Sequence, residues 1–120
     1  MRILLVRPES KPELKEIDGT LETMQHLVGG LIQAVYPFEE PVALICNDEG
    51  HLLGLPLNRA LRDASGSVYD IVCGPFFLCG LCEDNFASLT EDQVQHFQHV
   101  FAIPEMFIVV NGRIVVLPSD

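Results

Sequence analysis

The chain has 120 residues, 48% hydrophobic and 20% charged, and a net charge of −10 from 17 acidic against 7 basic residues. That length holds one domain, residues 1–120, which should bury roughly two-thirds of the surface its unfolded form exposes, and the composition excludes intrinsic disorder. The charge argues against direct nucleic-acid binding, which relies on Lys and Arg to neutralise phosphates, and reads chiefly as a solubility feature.

A mean hydropathy of +0.28 raises the question of a membrane. A spanning helix needs about 20 apolar residues, whereas Ile71–Leu81 is broken by Gly74, Pro75 and Gly80, and Ile103–Val110 by Pro104 and Glu105. The start, Met1–Arg7, is too short for a signal-peptide core. The expectation is a cytoplasmic protein that makes no membrane contact and carries a self-association surface, as a homodimer would. Without a secretory signal, Cys46, Cys73, Cys79 and Cys82 are not evidence of disulfides.

In chain order, Arg2–Val6 reads as a short strand. Pro8 and Pro12 mark an irregular charged connection through Lys15. The spacing of Leu21, Met24, Leu27, Val28 and Leu31 predicts a helix over Thr20–Ile32, with Asp18 or Thr20 as its cap. The Gly29-Gly30 pair within it costs about 1 kcal/mol per glycine. Ala34–Phe38 and Val42–Cys46 are β-like, the cluster Asn47-Asp48-Glu49-Gly50 is a turn, and His51–Leu55 continues as a hairpin strand. Pro56 then opens a short helical turn over Leu57–Arg62, followed by a small polar loop, Ala64–Ser67.

Tyr69–Cys79 is too continuously apolar for one-face alternation. It predicts a central strand buried on both sides, with Gly74-Pro75 as a bulge or bend. Thr90-Glu91-Asp92-Gln93 fits a capping box, and Leu89 and Val94 fit a hydrophobic staple. The helix they start, Glu91–Phe101, turns Val94, Phe97, Val100 and Phe101 inward. Met106–Val110, Asn111-Gly112 and Arg113–Leu117 form a hairpin on a type I′ turn. Together these elements predict an α+β domain: a mainly antiparallel, mixed sheet of about five or six strands with two principal helices packed on it.

Chemistry is less legible. Cys79-Gly-Leu-Cys82 with Cys73 could supply half a zinc site, completed by His96 and His99. The cysteines lie among Phe76, Phe77, Leu78 and Leu81, however, and read as small core hydrophobes, so the expectation is no metal and no cofactor. A thioredoxin-like motif should open a helix, and none follows Cys82 before Glu91. Ser65, Ser67, Ser88 and Thr90 read as turn and capping residues, and no glycine loop has phosphate-binding spacing. The constellation that stands out is Asn58, Arg59 and Arg62. Two of the seven basic residues fall in one short segment against an acidic background, and paired guanidinium groups hold phosphate or carboxylate bidentately. The competing reading is that the arginines pair with nearby carboxylates such as Asp63 or Asp70 while Asn58 satisfies loop backbone.

The blocks Gly30–Phe38, Ala43–Gly50, Leu53–Leu61 (with Leu-Pro-Leu-Asn-Arg-Ala-Leu at its end), Tyr69–Leu78 and Phe86–Leu89 carry a resemblance. Over roughly residues 1–101 the chain resembles a family of small domain-of-unknown-function proteins from bacteriophages and integrative mobile elements of Firmicutes and other gut bacteria. The family pattern does not feature cysteines at positions 73, 79 and 82, and the hairpin from Met106 is an addition to it. The resemblance implies a setting, an accessory gene of a mobile element acting in a host cytoplasm. The resulting expectation is a non-enzymatic accessory protein, a counter-defence binder of a small anionic ligand or a host protein. The alternatives are a small hydrolase or nucleotide-processing enzyme whose site assembles from Asn58, Arg59, a carboxylate and a histidine, and an acidic DNA mimic.

Overall fold

The computed structural model describes residues 1–117. In chain order the elements are β1 (Arg2–Val6), β2 (Glu13–Glu16), α1 (Leu21–Val28), β3 (Ile32–Val35), β4 (Val42–Asn47), β5 (Leu57–Arg62), β6 (Val68–Cys73), β7 (Phe76–Cys82), β8 (Asn85–Ala87), α2 (Glu91–Val100), β9 (Met106–Val110) and β10 (Arg113–Leu117). Six strands form the main antiparallel sheet, in the order β2-β1-β7-β4-β3, with β8 on the far end of β7 beyond β1. Two further pairs, β5–β6 and β9–β10, are separate two-stranded ribbons. The expected α+β architecture is what forms.

The three central strands are covered on both faces, and their side chains alternate between two cores. Ile3 and Leu5 of β1, Ala43 and Ile45 of β4, and Phe77 and Cys79 of β7 face α1, where they meet Met24 and Val28. Leu4 and Val6, Val42 and Leu44, and Phe76 and Leu78 face the other way, onto Val94, Phe97 and Phe101 from the second helix and Leu61 and Val72 from the β5–β6 ribbon. Antiparallel sheets commonly leave one face to water; the centre of this one leaves neither, so its central strands read as continuous apolar runs. That accounts for much of the chain's hydropathy. No described helix is long and apolar enough to cross a membrane.

Local chemistry sets the helix ends. Thr20 caps α1, its Oγ1 accepting the Thr23 N–H at 3.2 Å, while Asp18 Oδ1 accepts the Thr20 N–H at 2.9 Å. These bonds favour the Asp18 carboxylate and hold its pKa below the usual value. The capping box of α2 is complete: Gln93 N–H donates to Thr90 Oγ1 at 3.1 Å and Thr90 N–H to Gln93 Oε1 at 2.9 Å. Leu89 and Val94 are both buried beside it.

Several boundaries differ from the sequence reading. The first helix stops at Val28 rather than Ile32, because Gly29 takes a left-handed cap conformation and Ile32 already pairs with Asn47 in the sheet. Glu13–Glu16, read as irregular, is an edge strand; its charges suit an edge, where they discourage further pairing. His51–Leu55 is a turn, not a strand, with Leu52 and Leu53 exposed. Leu57–Arg62 is a strand, not a helical turn, because β6 supplies a pairing partner that overrides its helical propensity. Tyr69–Cys79 is two strands in different sheets. Gly74, at φ 80°, and Pro75 break the run so that β6 stays in the ribbon while β7 enters the centre of the main sheet. Val100 points outward, whereas Val94, Phe97 and Phe101 are buried as expected.

Candidate functional site

Asn58, Arg59 and Arg62 all lie on β5, where the ribbon crosses the main sheet. Asn58 is fully buried, and its side-chain amide donates to Val6 O and Gly74 O, both at 2.9 Å. One side chain thus holds the end of β1 to the reversal between β6 and β7. Arg59 is also buried, at 1% exposure. Its Nη1 donates to Asn58 Oδ1 at 2.9 Å, and its Nη2 to Ser10 O at 2.6 Å and Phe101 O at 3.0 Å. Phe101 caps the C-terminus of α2, where unpaired carbonyls carry the negative end of the helix dipole and favour a cation. Desolvation pulls the Arg59 pKa down, opposed by the charge of Glu105. Among the described residues its Nε finds no acceptor.

Arg62 follows β5 to the surface and meets Glu105 through two contacts, Nη1–Oε1 at 3.1 Å and Nη2–Oε2 at 3.3 Å. Glu105 also accepts the Ala60 N–H at 3.3 Å. The carboxylate partner is therefore Glu105, not Asp63 or Asp70. Asp63 instead closes its own turn by accepting from Ser65 and Ser67, which holds its pKa below the usual range. The three predicted residues share one strand, and their donors, Arg59 Nε excepted, are engaged within the chain. An anion at this seam would have to take Glu105's place on Arg62. A cavity of about 230 Å³ beside the ion pair, lined by Pro37, Phe38, Leu61 and Phe101, is mainly apolar.

The cysteines separate in space. Cys79 lies in the α1-side core, where burial pushes its thiol up to about 12, and Cys82 is exposed. Cys46 and Cys73 line a small cavity of about 90 Å³ with Gln33, Asp48, His51 and Asp70. Burial, with the charges of Asp70 and Asp48, pushes Cys46 up to about 11, and Cys73 is raised by burial and Asp70. Cys73 Sγ lies 3.4 Å from His51 Nδ1, and His51 Nε2 lies 3.8 Å from Asp70 Oδ1. His96 belongs elsewhere, with its Nε2 3.3 Å from Glu40. Among the described residues no three His, Cys, Asp or Glu side chains converge as metal ligands. The proximity of His51 to Cys73 has no sequence signal, because the two are far apart in the chain and joined by the turn before β5.

The β9–β10 ribbon exposes a run of apolar side chains. Its register pairs Val110 with Arg113 and Met106 with Leu117, and the turn residues Asn111 and Gly112 have φ of 50° and 76°, as a type I′ turn requires. Met106 is 68% and Val109 71% exposed, and Ile108, Val110, Ile114 and Val115 are also open. The hairpin is legible in the sequence, but its lack of cover is not.

The geometry thus defines an α+β domain whose polar seam is satisfied from within the chain except at Arg59 Nε, with an apolar ribbon beyond it. Residues 1–102 match the model of the domain of unknown function DUF3846, and the chain belongs to that family. The β9–β10 ribbon lies beyond the matched residues. None of the curated proteins and none of the solved structures matches the chain.

The two arginines should behave differently when replaced. Arg59→Met leaves Asn58 Oδ1, Ser10 O and Phe101 O without their donor and should cost about 3 kcal/mol, whereas Arg62→Ala removes a partly exposed partner of Glu105, which keeps the Ala60 N–H, and should cost about 1 kcal/mol. Urea unfolding of the two variants measures this. Equal losses would contradict the assignment of Arg59 as the internal brace.

Proposed function

We propose that the chain is a non-enzymatic accessory protein of a phage or mobile element, acting in the host cytoplasm by contact with another protein, with the β9–β10 ribbon as its contact surface. The observation that carries this reading is the exposure of Met106, Ile108, Val109 and Ile114 on a ribbon whose strands, among the described residues, pair only with each other. Exposed apolar surface of this kind marks interaction sites. A protein partner is favoured over a small anion because Asn58 and Arg59 face inward and Glu105 occupies Arg62. Counter-defence is the role that the mobile-element setting suggests.

A plating assay in hosts that carry defence systems tests the reading. The wild-type chain should raise phage plating, Val109→Lys should abolish the gain, and Arg62→Ala should retain it. Full activity of Val109→Lys together with loss in Arg62→Ala would instead favour an anionic ligand at the β5 seam.

A second reading, a small hydrolase, draws on the alignment of Cys73, His51 and Asp70, in which a base and an orienting carboxylate stand beside a thiol. It requires Cys73 to be the reactive thiol. The burial of Cys73 predicts the opposite order: iodoacetamide near pH 7 should alkylate Cys82 first. Faster labelling of Cys73, abolished in His51→Ala, would move the assignment to the hydrolase.

A further inference from the structure

The sequence of the ribbon differs in kind from that of a strand pair with one wet face. Met106, Ile108, Val110, Val115 and Leu117 lie on one face, with Arg113 at its turn end, and Phe107, Val109, Ile114 and Val116 on the other. Both faces are therefore apolar, the pattern of strands covered on both sides. In the folded chain neither face is fully covered, and the outer edges of both strands are unpaired among the described residues. A lone two-stranded hairpin is marginal in water, and an apolar open edge is a template for pairing.

We propose that the ribbon pairs with the ribbon of a second copy of this chain. The inference rests on the reading of the ribbon as the contact surface and names its first partner. Three observations point to a second copy. The surface is self-complementary, apolar on both faces with open edges, as a two-fold interface between identical chains requires. It is also free of carboxylates: from Met106 to Leu117 the only charge is Arg113, while the whole chain carries −10. Ribbon against ribbon is thus a contact in which two acidic chains meet without bringing acids together. Finally, nine apolar side chains on a twelve-residue element, six of them at least 40% exposed, offer an area on the order of several hundred Å², approaching the roughly 800 Å² per partner of a stable interface.

Antiparallel pairing of the β10 edges about a two-fold axis at Val115 sets each Arg113 opposite the other copy's Leu117. The two cations are then kept apart. Because the bodies repel, the association should strengthen as salt rises, the reverse of a contact held by opposite charges.

The test is the mass of the full-length chain in solution, by light scattering and sedimentation across the micromolar range, for wild type, Val109→Lys and Val115→Lys. These two positions lie on opposite ribbon faces and are exposed, so the domain should fold in both variants, which circular dichroism checks. The expected result is a two-chain mass for wild type, an affinity that rises with ionic strength, and at least a tenfold weaker association in one or both variants. A wild-type chain that stays single at every concentration and salt level overturns the inference, as does a dimer unaffected by both substitutions. If wild type is single but Val109→Lys still abolishes the plating gain, only the second-copy inference fails. If the substitutions change neither mass nor plating, the contact-surface reading fails with it.

Discussion

A buried guanidinium organises one side of this fold. A cation removed from water must find nearly all its hydrogen bonds inside the protein, or the burial costs several kcal/mol. Arg59 finds them on three parts of the chain: the neighbouring Asn58, the loop after β1 at Ser10, and the end of α2 at Phe101. Asn58 adds Val6 and Gly74. Two adjacent residues thus fix the ribbon to the first strand, the second helix and the chain reversal that feeds the central strand. The oxygens that accept from Arg59 are all carbonyls, those of Ser10 and Phe101 on the backbone and the latter at the carbonyl end of a helix, and the largely buried Glu105 adds its charge nearby.

The brace operates on a sheet that is buried on both faces. β1, β4 and β7 send alternate residues into the α1-side core and the α2-side core, and three of the four cysteines are buried in or beside those cores. Burial raises the thiols and makes them poor nucleophiles, which suits packing better than chemistry. The domain therefore spends its polar groups on architecture. Arg59, Asn58, Glu105 and Asp63 each satisfy backbone groups that would otherwise be left open.

How much of this is legible in the sequence depends on whether the signal is local. The capping box at Thr90, the staple at Leu89 and Val94, and the Asn111-Gly112 hairpin depend on neighbours within a few residues and are readable. The strand at Leu57–Arg62 is not, since Leu, Arg and Ala favour helix and only pairing with the later β6 makes it extended. Nor is the division of Tyr69–Cys79, because an apolar run does not say which sheet each half joins. The Asn58-Arg59-Arg62 cluster stands out against the acidic background, yet composition cannot say whether a guanidinium points inward or outward. Glu105, the partner of Arg62, is 43 residues away. The ribbon is readable as a hairpin and unreadable as a surface, since exposure is decided by what the remaining chain leaves uncovered.

The domain has two cores of its own, whereas the ribbon, under the proposal above, depends on a partner. Amide hydrogen exchange of the full-length protein, followed at low and high concentration, tests that division directly. Amides of β4 and β7 should exchange slowly and equally at both concentrations, while those of β9 and β10 should exchange fast in dilute protein and slow down as concentration rises. Ribbon amides as protected as those of β7 in dilute protein would contradict it.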